Sequence, residues 1–395
     1  METDENMLDI DTYAKEAAEH RHYLHAHPEP SFEEHGTQRY ITDRLRNLGL
    51  SPSPIAGTGV TATVAGTRCP ANAKVLLLRA DIDALRLTEE TGLPFASQNE
   101  GVMHACGHDG HTGTLLAVAH WLVDHRDQFG GTVKLLFQPA EEISPGGAEP
   151  CVKEGVLQNP DVSFAFGMHL WNMLEFGKIG LRAGPLMAEA DRFELTVTGK
   201  GTHAATPHLG ADPIVAAAQI VTALQTIVSR ETNPLDSRVV TVGTIDGGSA
   251  FNIIPQSVHM TGTLRALSRE DAELGAASLR RIVSHTAEAL GTTANVNYEF
   301  GYPPVINSYE AVALLRPILE QVVGEDNVAL PEITMGGEDF AYYLQQVPGV
   351  FVFMGTRNPA KGLTASHHNP KFTFDEDIFP TSVSVFVAVV RGYLS

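Results

Sequence analysis

The chain has few cysteines, few basic residues and no apolar run of membrane-spanning length. Its three cysteines, Cys69, Cys106 and Cys151, are odd in number and widely spaced, which excludes a disulfide framework. Lysine and arginine together number 27 against 47 acidic residues, giving a net charge of -20. A phosphate backbone requires a basic surface, and no Lys/Arg cluster is present, so we expect no nucleic-acid partner.

The longest apolar stretches are interrupted by charges, so we also expect no membrane partner. The segment Met1 to Glu5 is acidic and is followed by an amphipathic stretch, which is not the pattern of a signal peptide. Hydrophobic residues at 43% and charged residues at 19% are typical of a globular protein. We therefore expect a cytoplasmic location.

A length of 395 residues predicts two domains, because one hydrophobic core rarely serves so long a chain. Between residues 187 and 301 the patterns run strand, helix, strand, strand, helix, strand, the order of a ferredoxin-like unit. We predict an α/β fold in which 1–186 and 302–395 form a catalytic domain with a mixed, mostly parallel sheet. The α+β segment 187–301 is predicted to be an inserted lid or dimerisation domain.

Three short apolar runs are typical of strands buried on both faces: Lys74 to Ala80, Thr132 to Phe137 and Asp161 to Met168. Each is followed directly by polar residues: Asp81-Ile82-Asp83, Gln138 to Glu142, and His169. In open α/β sheets the functional crevice lies beyond the carboxyl ends of the strands, so we expect these groups to meet.

The segment Met103 to His111 places a thiol, three imidazoles and a carboxylate between a strand pattern and a helix pattern. A set that mixes Cys106 with His108 suits zinc, manganese, cobalt, nickel or iron better than calcium or magnesium. A structural zinc knuckle is an alternative, although no second Cys pair follows at finger spacing. His104, Asp109 and His111 are expected to orient the metal ligands rather than to bind metal.

Glu141 and Glu142 follow a buried strand, where one carboxylate can bind metal while its neighbour holds a water. A carboxylate so placed is the usual general base of metal-assisted hydrolysis. Taken alone, such a pair would more often be a solvated acidic loop. His169 alone would more often be a core side chain, but paired with His108 it becomes a credible ligand. His367 and His368 offer two further imidazoles near the C-terminus.

Ordered motifs along nearly the whole chain resemble those of the dinuclear-metal amidohydrolases. This family includes hippurate hydrolase, indoleacetyl-amino-acid hydrolase, N-acyl-amino-acid aminoacylase and N-acetyldiaminopimelate deacetylase. The motifs are RHYLHAHPEPSFEE (21–34), RADIDAL (79–85), MHACGHDGHT (103–112), QPAEE (138–142), GMHL (167–170), GKGTHAATPHLGADPI (199–214), AFNIIP (250–255), TGTLR (261–265) and GGEDFAYY (336–343).

The resemblance implies a site with two divalent ions, Mn, Zn, Co or Ni, and a set of five protein ligands. Those ligands are Cys106, His108, Glu142, His169 and His368. The family usually has an aliphatic residue where this chain has His367, which leaves open whether His367 or His368 binds. The spacing to Asn369-Pro370 favours His368.

The resemblance further implies that Glu141 is the general base and acid. It implies that His203 polarises the substrate carbonyl and stabilises the oxyanion in the partner subunit of a homodimer. Asn252 and Arg265 would contact the substrate carboxylate or the oxyanion. The alternatives are that His203 is an ordinary turn residue and that Arg265 pairs with a surface carboxylate.

The implied activity is metal-dependent hydrolysis of the amide bond of N-acyl amino acids. A metallo-dipeptidase, a carboxypeptidase or an N-acetyldiaminopimelate-type deacetylase would use the same catalytic parts with a different pocket. A thiol hydrolase with Cys106 as nucleophile, activated by His108, is a mechanistically different alternative. A metal-stabilised binding protein without turnover is a third class.

Overall fold

The computed structural model describes residues 2–68 and 73–395, so Cys69 lies outside the described residues. Two compact units make up the chain. Unit 1 comprises Met1–Gly184, Ile306–Glu332 and Asp339–Ser395, and unit 2 comprises Pro185–Val305 and Ile333–Glu338. No pattern in the sequence indicates that the chain returns to unit 2 for the short segment Ile333–Glu338.

The helices and strands have the following bounds. The α-helices are α1 (Glu2–Ala26), α2 (His35–Asn47), α3 (His108–Asp124), α4 (Ala148–Lys153), α5 (Pro213–Thr226), α6 (Arg269–Ala289), α7 (Tyr309–Val323), α8 (Ala341–Leu344) and α9 (Phe379–Tyr393). The strands are β1 (Ser53–Ile55), β2 (Gly59–Ala65), β3 (Val75–Asp81), β4 (Thr132–Gln138), β5 (Phe164–Glu175), β6 (Ile179–Gly180), β7 (Gly184–Met187), β8 (Glu189–Thr198), β9 (Thr202–His203), β10 (Arg238–Gly247), β11 (Ile253–Ile254), β12 (Ser257–Ala266), β13 (Thr293–Tyr302), β14 (Val305–Asn307), β15 (Val328–Ala329) and β16 (Gly349–Arg357).

Unit 1 is built on a mixed sheet in the order β1-β2-β4-β3-β5-β16-β6-β15. The central strands β4, β3, β5 and β16 run parallel, and β2 joins β4 in antiparallel pairing. Every residue of β3 is buried, as expected for a strand covered on both faces. Helix α1 packs against α3 and α9. The predicted α/β class with a mixed, mostly parallel sheet is confirmed, and this sheet brings the ends of β3 and β4 together.

Unit 2 contains an antiparallel sheet in the order β10-β12-β8-β13, with α5 and α6 packed against it. The order strand, helix, strand, strand, helix, strand is that of a ferredoxin-like unit. Contrary to the expectation that no apolar run reaches membrane-spanning length, the stretch Pro213–Glu231 is long and apolar enough to cross a membrane by length and composition, a test that core helices also meet. Ala216, Ala217, Ile220 and Leu224 of this stretch belong to the hydrophobic core of the unit.

Two elements differ from the sequence-based prediction in ways that matter for the site. Helix α3 begins at His108, inside the segment Met103 to His111 that was predicted to precede the helix, because Gly107 adopts a φ of 95° and turns the chain into the helix there. Strand β5 continues to Glu175, so His169 lies inside the strand rather than just after it. Parallel pairing with β16, in which His169 is opposite Phe353, extends the strand through this position.

Candidate metal centre

The five predicted ligands and Glu141 fall into three overlapping groups in unit 1. The groups are Cys106 with His108 and His169, Cys106 with Glu142 and His368, and His108 with Glu141 and Glu142. Within each group the potential ligand atoms all lie within 4.8 Å of one another. The structure thus brings all six side chains to one place.

Cys106 and His169 lie side by side and are both buried. The Sγ of Cys106 is 3.5 Å from Nε2 of His169. The Nδ1 of His169 donates to the carbonyl oxygen of Leu170 at 2.8 Å, which leaves the Nε2 lone pair directed at the thiol. Burial and the neighbouring imidazoles of His111 and His367 hold the pKa of His169 well below its usual range, so the ring is neutral, as a metal ligand must be.

His108 presents one ring nitrogen to the centre of the site. Its Nδ1 is 3.0 Å from the backbone oxygen of Asp83 and must donate to it. Among the described residues its buried Nε2 has no hydrogen-bond partner, with Asp81 Oδ2 at 3.6 Å and Glu142 Oε1 at 3.9 Å. Burial lowers the pKa of His108, but the charge of Asp81 and the contact with Asp83 outweigh it and raise the pKa to about 10. The environment therefore favours a cation at this nitrogen.

Of the two adjacent histidines, the geometry favours His368 as the ligand. Its Nε2 lies 3.1 Å from Glu142 Oε1. Its backbone adopts a left-handed φ of 62°, and its backbone N–H donates to the backbone oxygen of Ala105. The Nε2 of His367 instead accepts from the backbone N–H of Asn172 at 3.1 Å. Burial lowers the pKa of His367 to about 3, consistent with a neutral packing role.

Two of the three residues that the prediction assigned to orientation, His111 and Asp109, are hydrogen-bonded around the ligands, whereas His104 is not. The Nδ1 of His111 contacts Asp81 Oδ1 at 2.6 Å, and its Nε2 accepts from the backbone N–H of Leu170 at 2.9 Å. Both ring nitrogens of His111 are therefore already used. The carboxylate of Asp109 accepts from Arg21 at 3.1 Å and contacts Nδ1 of His25 at 2.9 Å. This holds the first turn of α3, where His108 lies.

Both ring nitrogens of His104 are buried without a hydrogen-bond partner among the described residues. Burial lowers the pKa of this imidazole to about 4, so the ring is neutral.

A fully buried arginine joins the ends of β3 and β4. Arg79 donates to Asp81 at 2.6 Å, to Asp339 at 2.9 Å and to Gln138 at 2.9 Å. Gln138 in turn donates to Asp339 at 2.8 Å. Buried charges are tolerated when they are paired and hydrogen-bonded in this way. The Arg79 cluster therefore fixes the strand ends from which the metal-site loops depart.

The remaining predicted site residues lie in unit 2. His203 and Asn252 are exposed. The N–H of Ala204, directly after β9, donates to the backbone oxygen of Asn252, directly before β11, at 3.0 Å and so continues the β9–β11 pairing. His203 Nδ1 accepts from the N–H of Ala205 at 3.1 Å. Arg265 is partly buried on β12, and among the described residues of unit 2 it has no carboxylate at ion-pair distance.

Sequence reasoning assigned no role to Asp83 or Glu34. Asp83 Oδ2 accepts from the backbone N–H of Glu142 at 3.0 Å and from Ser31 at 2.6 Å. Glu34 accepts from the backbone N–H of Ala140 at 2.8 Å. Both acids lie inside motifs that carry the family resemblance, which was the available signal.

The donor set fits divalent metal ions of intermediate softness. A thiol, imidazoles and carboxylates converge, and the buried His108 Nε2 has no hydrogen-bond partner among the described residues, so a metal ion can take the place of its proton. The site fits a thiol hydrolase poorly. Burial, together with the charges of Glu142 and Glu141, holds the pKa of Cys106 well above its usual range, whereas a nucleophilic cysteine needs a lowered pKa.

Comparison with known proteins identifies the family of the chain and several similar hydrolases. The chain matches the model of Peptidase family M20/M25/M40 over residues 77–392. It is 41% identical over 377 residues to the N-acetyl-L-cysteine deacetylase of Bacillus subtilis, covering 95% of this chain and 88% of that protein. It is 38% identical over 379 residues to the IAA-amino acid hydrolase ILR1-like 4 of Arabidopsis thaliana, covering 95% and 84%.

Among solved structures, the YXEP protein of Bacillus subtilis, described as a dinuclear metal binding peptidase of the M20 family, superimposes with a TM-score of 0.82. The two chains are 34% identical, over 97% of this chain and 99% of that one. The five proposed metal ligands and Glu141 all lie within residues 77–392, the part of the chain that the family model matches. The chain is therefore a hydrolase that belongs to Peptidase family M20/M25/M40.

Proposed function

We propose that this protein hydrolyses the amide bond of N-acyl amino acids and uses two divalent ions for it. The observation that carries the proposal is the convergence of five ligand side chains with Glu141 in three groups, each within 4.8 Å. The relatives named for N-acetyl-L-cysteine deacetylation and for hydrolysis of IAA-amino acids support the substrate class. Cys106, His108, Glu142, His169 and His368 hold the ions.

Bound ions of this kind supply Lewis acidity and lower the pKa of a coordinated water. Glu141 takes a proton from the attacking water and delivers it to the leaving amine nitrogen as the carbon–nitrogen bond breaks. His203 donates a hydrogen bond to the carbonyl oxygen as negative charge develops there. Asn252 and Arg265 bind the carboxylate of the amino acid or the developing oxyanion.

The test combines elemental analysis of the purified protein with a screen of N-acetyl, N-benzoyl and indoleacetyl amino acids. We expect two metal equivalents per chain, loss of activity with a chelator and recovery with Mn, Zn, Co or Ni. Activity that survives complete chelation would instead indicate a thiol hydrolase. Faster hydrolysis of dipeptides than of any N-acyl amino acid would indicate a peptidase. No turnover by metal-loaded protein would indicate a binding protein.

We further propose a homodimer formed through unit 2, in which His203 serves the site of the partner subunit. Strand β10 lies at the edge of its sheet, and its second half is exposed, with Ile245 58% exposed. An exposed edge strand offers backbone N–H and C=O groups that can pair with a second copy. Replacing Ile245 by Lys should convert a dimer to a monomer in analytical ultracentrifugation, and a wild-type monomer would contradict the proposal.

The proposed partners are thus a small N-acyl amino acid and a second copy of the chain, without nucleic acid or membrane. A cytoplasmic location is proposed because the two described cysteines, Cys106 and Cys151, are free thiols, which suits a reducing compartment. Fractionation of the native host, with detection by antibody, checks the location.

A further inference from the structure

The turn that carries Glu141 and Glu142 has an unusual backbone. Ala140, directly before Glu141, adopts a φ of 53°, a left-handed conformation that costs free energy for any residue other than glycine. Such a conformation persists only where neighbouring groups determine it.

Both backbone polar groups of Ala140 are hydrogen-bonded. Its carbonyl oxygen accepts from the N–H of Gly147 at 3.0 Å, which closes the loop between them. A Cβ at Gly147 would lie 1.9 Å from the carbonyl oxygen of Pro139, so this closure requires glycine. The N–H of Ala140 donates to Oε1 of Glu34 at 2.8 Å, across 106 positions of the chain.

Glu34 occupies the N-cap position of α2, where a side-chain oxygen often accepts a hydrogen bond from the first backbone N–H groups of the helix. The side chain of Glu34 does not make this contact. Glu29 takes that role, accepting from the N–H groups of Gly36 at 2.8 Å and Thr37 at 2.7 Å. The carboxyl group of Glu34 is thereby left for Ala140.

The environment of Glu34 fixes its second oxygen as well. The hydroxyl of Thr58 donates to Oε2 at 2.5 Å, and the residue is fully buried. Burial raises the pKa of Glu34 to about 7, and the negative charge of Asp83 adds to this. A carboxyl oxygen accepts the Ala140 N–H in either protonation state, so the contact does not depend on ionisation.

We infer that Glu34 is a positioning residue for the general base: by accepting the Ala140 N–H, it holds the turn that aims Glu141. This inference rests on the proposed function, in which Glu141 moves the proton. Asp83 holds the backbone N–H of Glu142 separately, at 3.0 Å. Loss of Glu34 should therefore disturb the aim of the base more than the binding of metal.

The test compares Glu34→Leu, which removes the acceptor, with Glu34→Gln, whose amide oxygen can still accept the N–H. Misplacing a catalytic group by about 1 Å can cost about 100-fold, so we expect Glu34→Leu to lower kcat by about that factor with KM little changed. Glu34→Gln should keep kcat within about threefold of wild type. Glu33→Leu is the matched control, because Glu33 is adjacent, exposed and paired only with the exposed Arg86 among the described residues.

Visible spectra of the cobalt-loaded proteins give a readout that is independent of turnover. Glu142 follows Ala140 by two residues, so Glu34→Leu should bind as much cobalt as wild type but shift the spectrum slightly, while Glu34→Gln and Glu33→Leu should leave it unchanged. Wild-type kcat in Glu34→Leu, or equal losses in Glu34→Leu and Glu34→Gln, would overturn the inference. If the wild type hydrolyses no amide, the proposed function fails, and the spectra alone decide the role of Glu34.

If Glu34→Leu fails to fold, the variant Thr58→Val tests whether Glu34 positions the turn. This change removes the hydroxyl that fixes Oε2 and lets the carboxyl group turn away from Ala140. A fall in kcat of about threefold or more supports the inference, and an unchanged kcat and cobalt spectrum overturn it.

Discussion

In unit 1 the proposed metal ligands are held by hydrogen bonds from several segments, whereas in unit 2 His203 and Asn252 are exposed on a short ribbon and the loop beside it. The Nδ1 of His108 donates to the backbone oxygen of Asp83, and the Nδ1 of His169 donates to that of Leu170. Among the described residues, the side chain of His203 accepts a hydrogen bond from the N–H of its near neighbour Ala205.

The difference indicates two ways of contributing to a site. The buried groups of unit 1 are preorganised, since their orientation is fixed before anything binds. The exposed side chains of His203 and Asn252 in unit 2 become oriented only when they contact a bound group. Substitutions in unit 1 should therefore affect both stability and chemistry, whereas substitutions at His203 should affect chemistry alone.

The largest effect is expected for Glu141→Gln. The amide keeps the size of the side chain but cannot take a proton, so kcat should fall by about 100-fold to 10,000-fold. Metal content, measured by elemental analysis, should stay at the wild-type value, because the ligand set is untouched. Retention of more than about a few per cent of activity would exclude Glu141 as the base.

His203→Ala should come next, with a loss in kcat of about 100-fold to 1,000-fold, as is typical when an oxyanion donor is removed. Because the side chain is exposed, the melting temperature and metal content should not change. His208→Ala, at another exposed position of unit 2, is the matched control and should retain full activity. A fall in melting temperature in His203→Ala would remove the contrast between the units.

The smallest effect concerns the pH dependence of stability in unit 1. Burial lowers the pKa of His25, but hydrogen bonds with Asp109 and Glu89 raise it overall to about 9 from an ordinary value of 6.5. The folded state thus holds the proton more tightly, so the stabilisation, roughly 3 kcal/mol, is complete below pH 6.5 and is lost as the pH rises to about 9.

We therefore expect the melting temperature of the wild type to exceed that of His25→Gln by about a few degrees at pH 6.5, and this difference in melting temperature to narrow at about pH 9.5. His27→Gln, at an exposed position on the same part of the chain, should melt with the wild type at both pH values. A gap that widens with pH would show that the sign of the linkage is wrong.

Much of the fold was predictable because buried strands leave a clear pattern. The run Lys74 to Ala80 is apolar throughout, apart from Lys74 and Arg79, and it forms most of β3 at Val75–Asp81. The start of α3 was missed because His108 to His111 contain glycine and polar residues, which are poor helix formers. Tertiary packing outweighs that preference here.

The candidate site was predictable residue by residue where a motif followed a strand, as at Glu141. The supporting contacts were not. The hydrogen bond from Ala140 to Glu34 joins positions 106 apart, and no local pattern records which distant carboxyl group will meet which N–H. Likewise, the pairing that extends β5 past His169 depends on β16, which comes much later in the chain.

Gly147 has a practical consequence for altering this enzyme. It carries no chemical group, yet even a methyl there would collide with the carbonyl oxygen of Pro139 and displace the turn that bears Glu141. The residues Ile143 to Pro145, just upstream, are exposed. A library that aims at new substrates should vary 143–145 and keep glycine at 147, since randomising both would mostly yield inactive proteins.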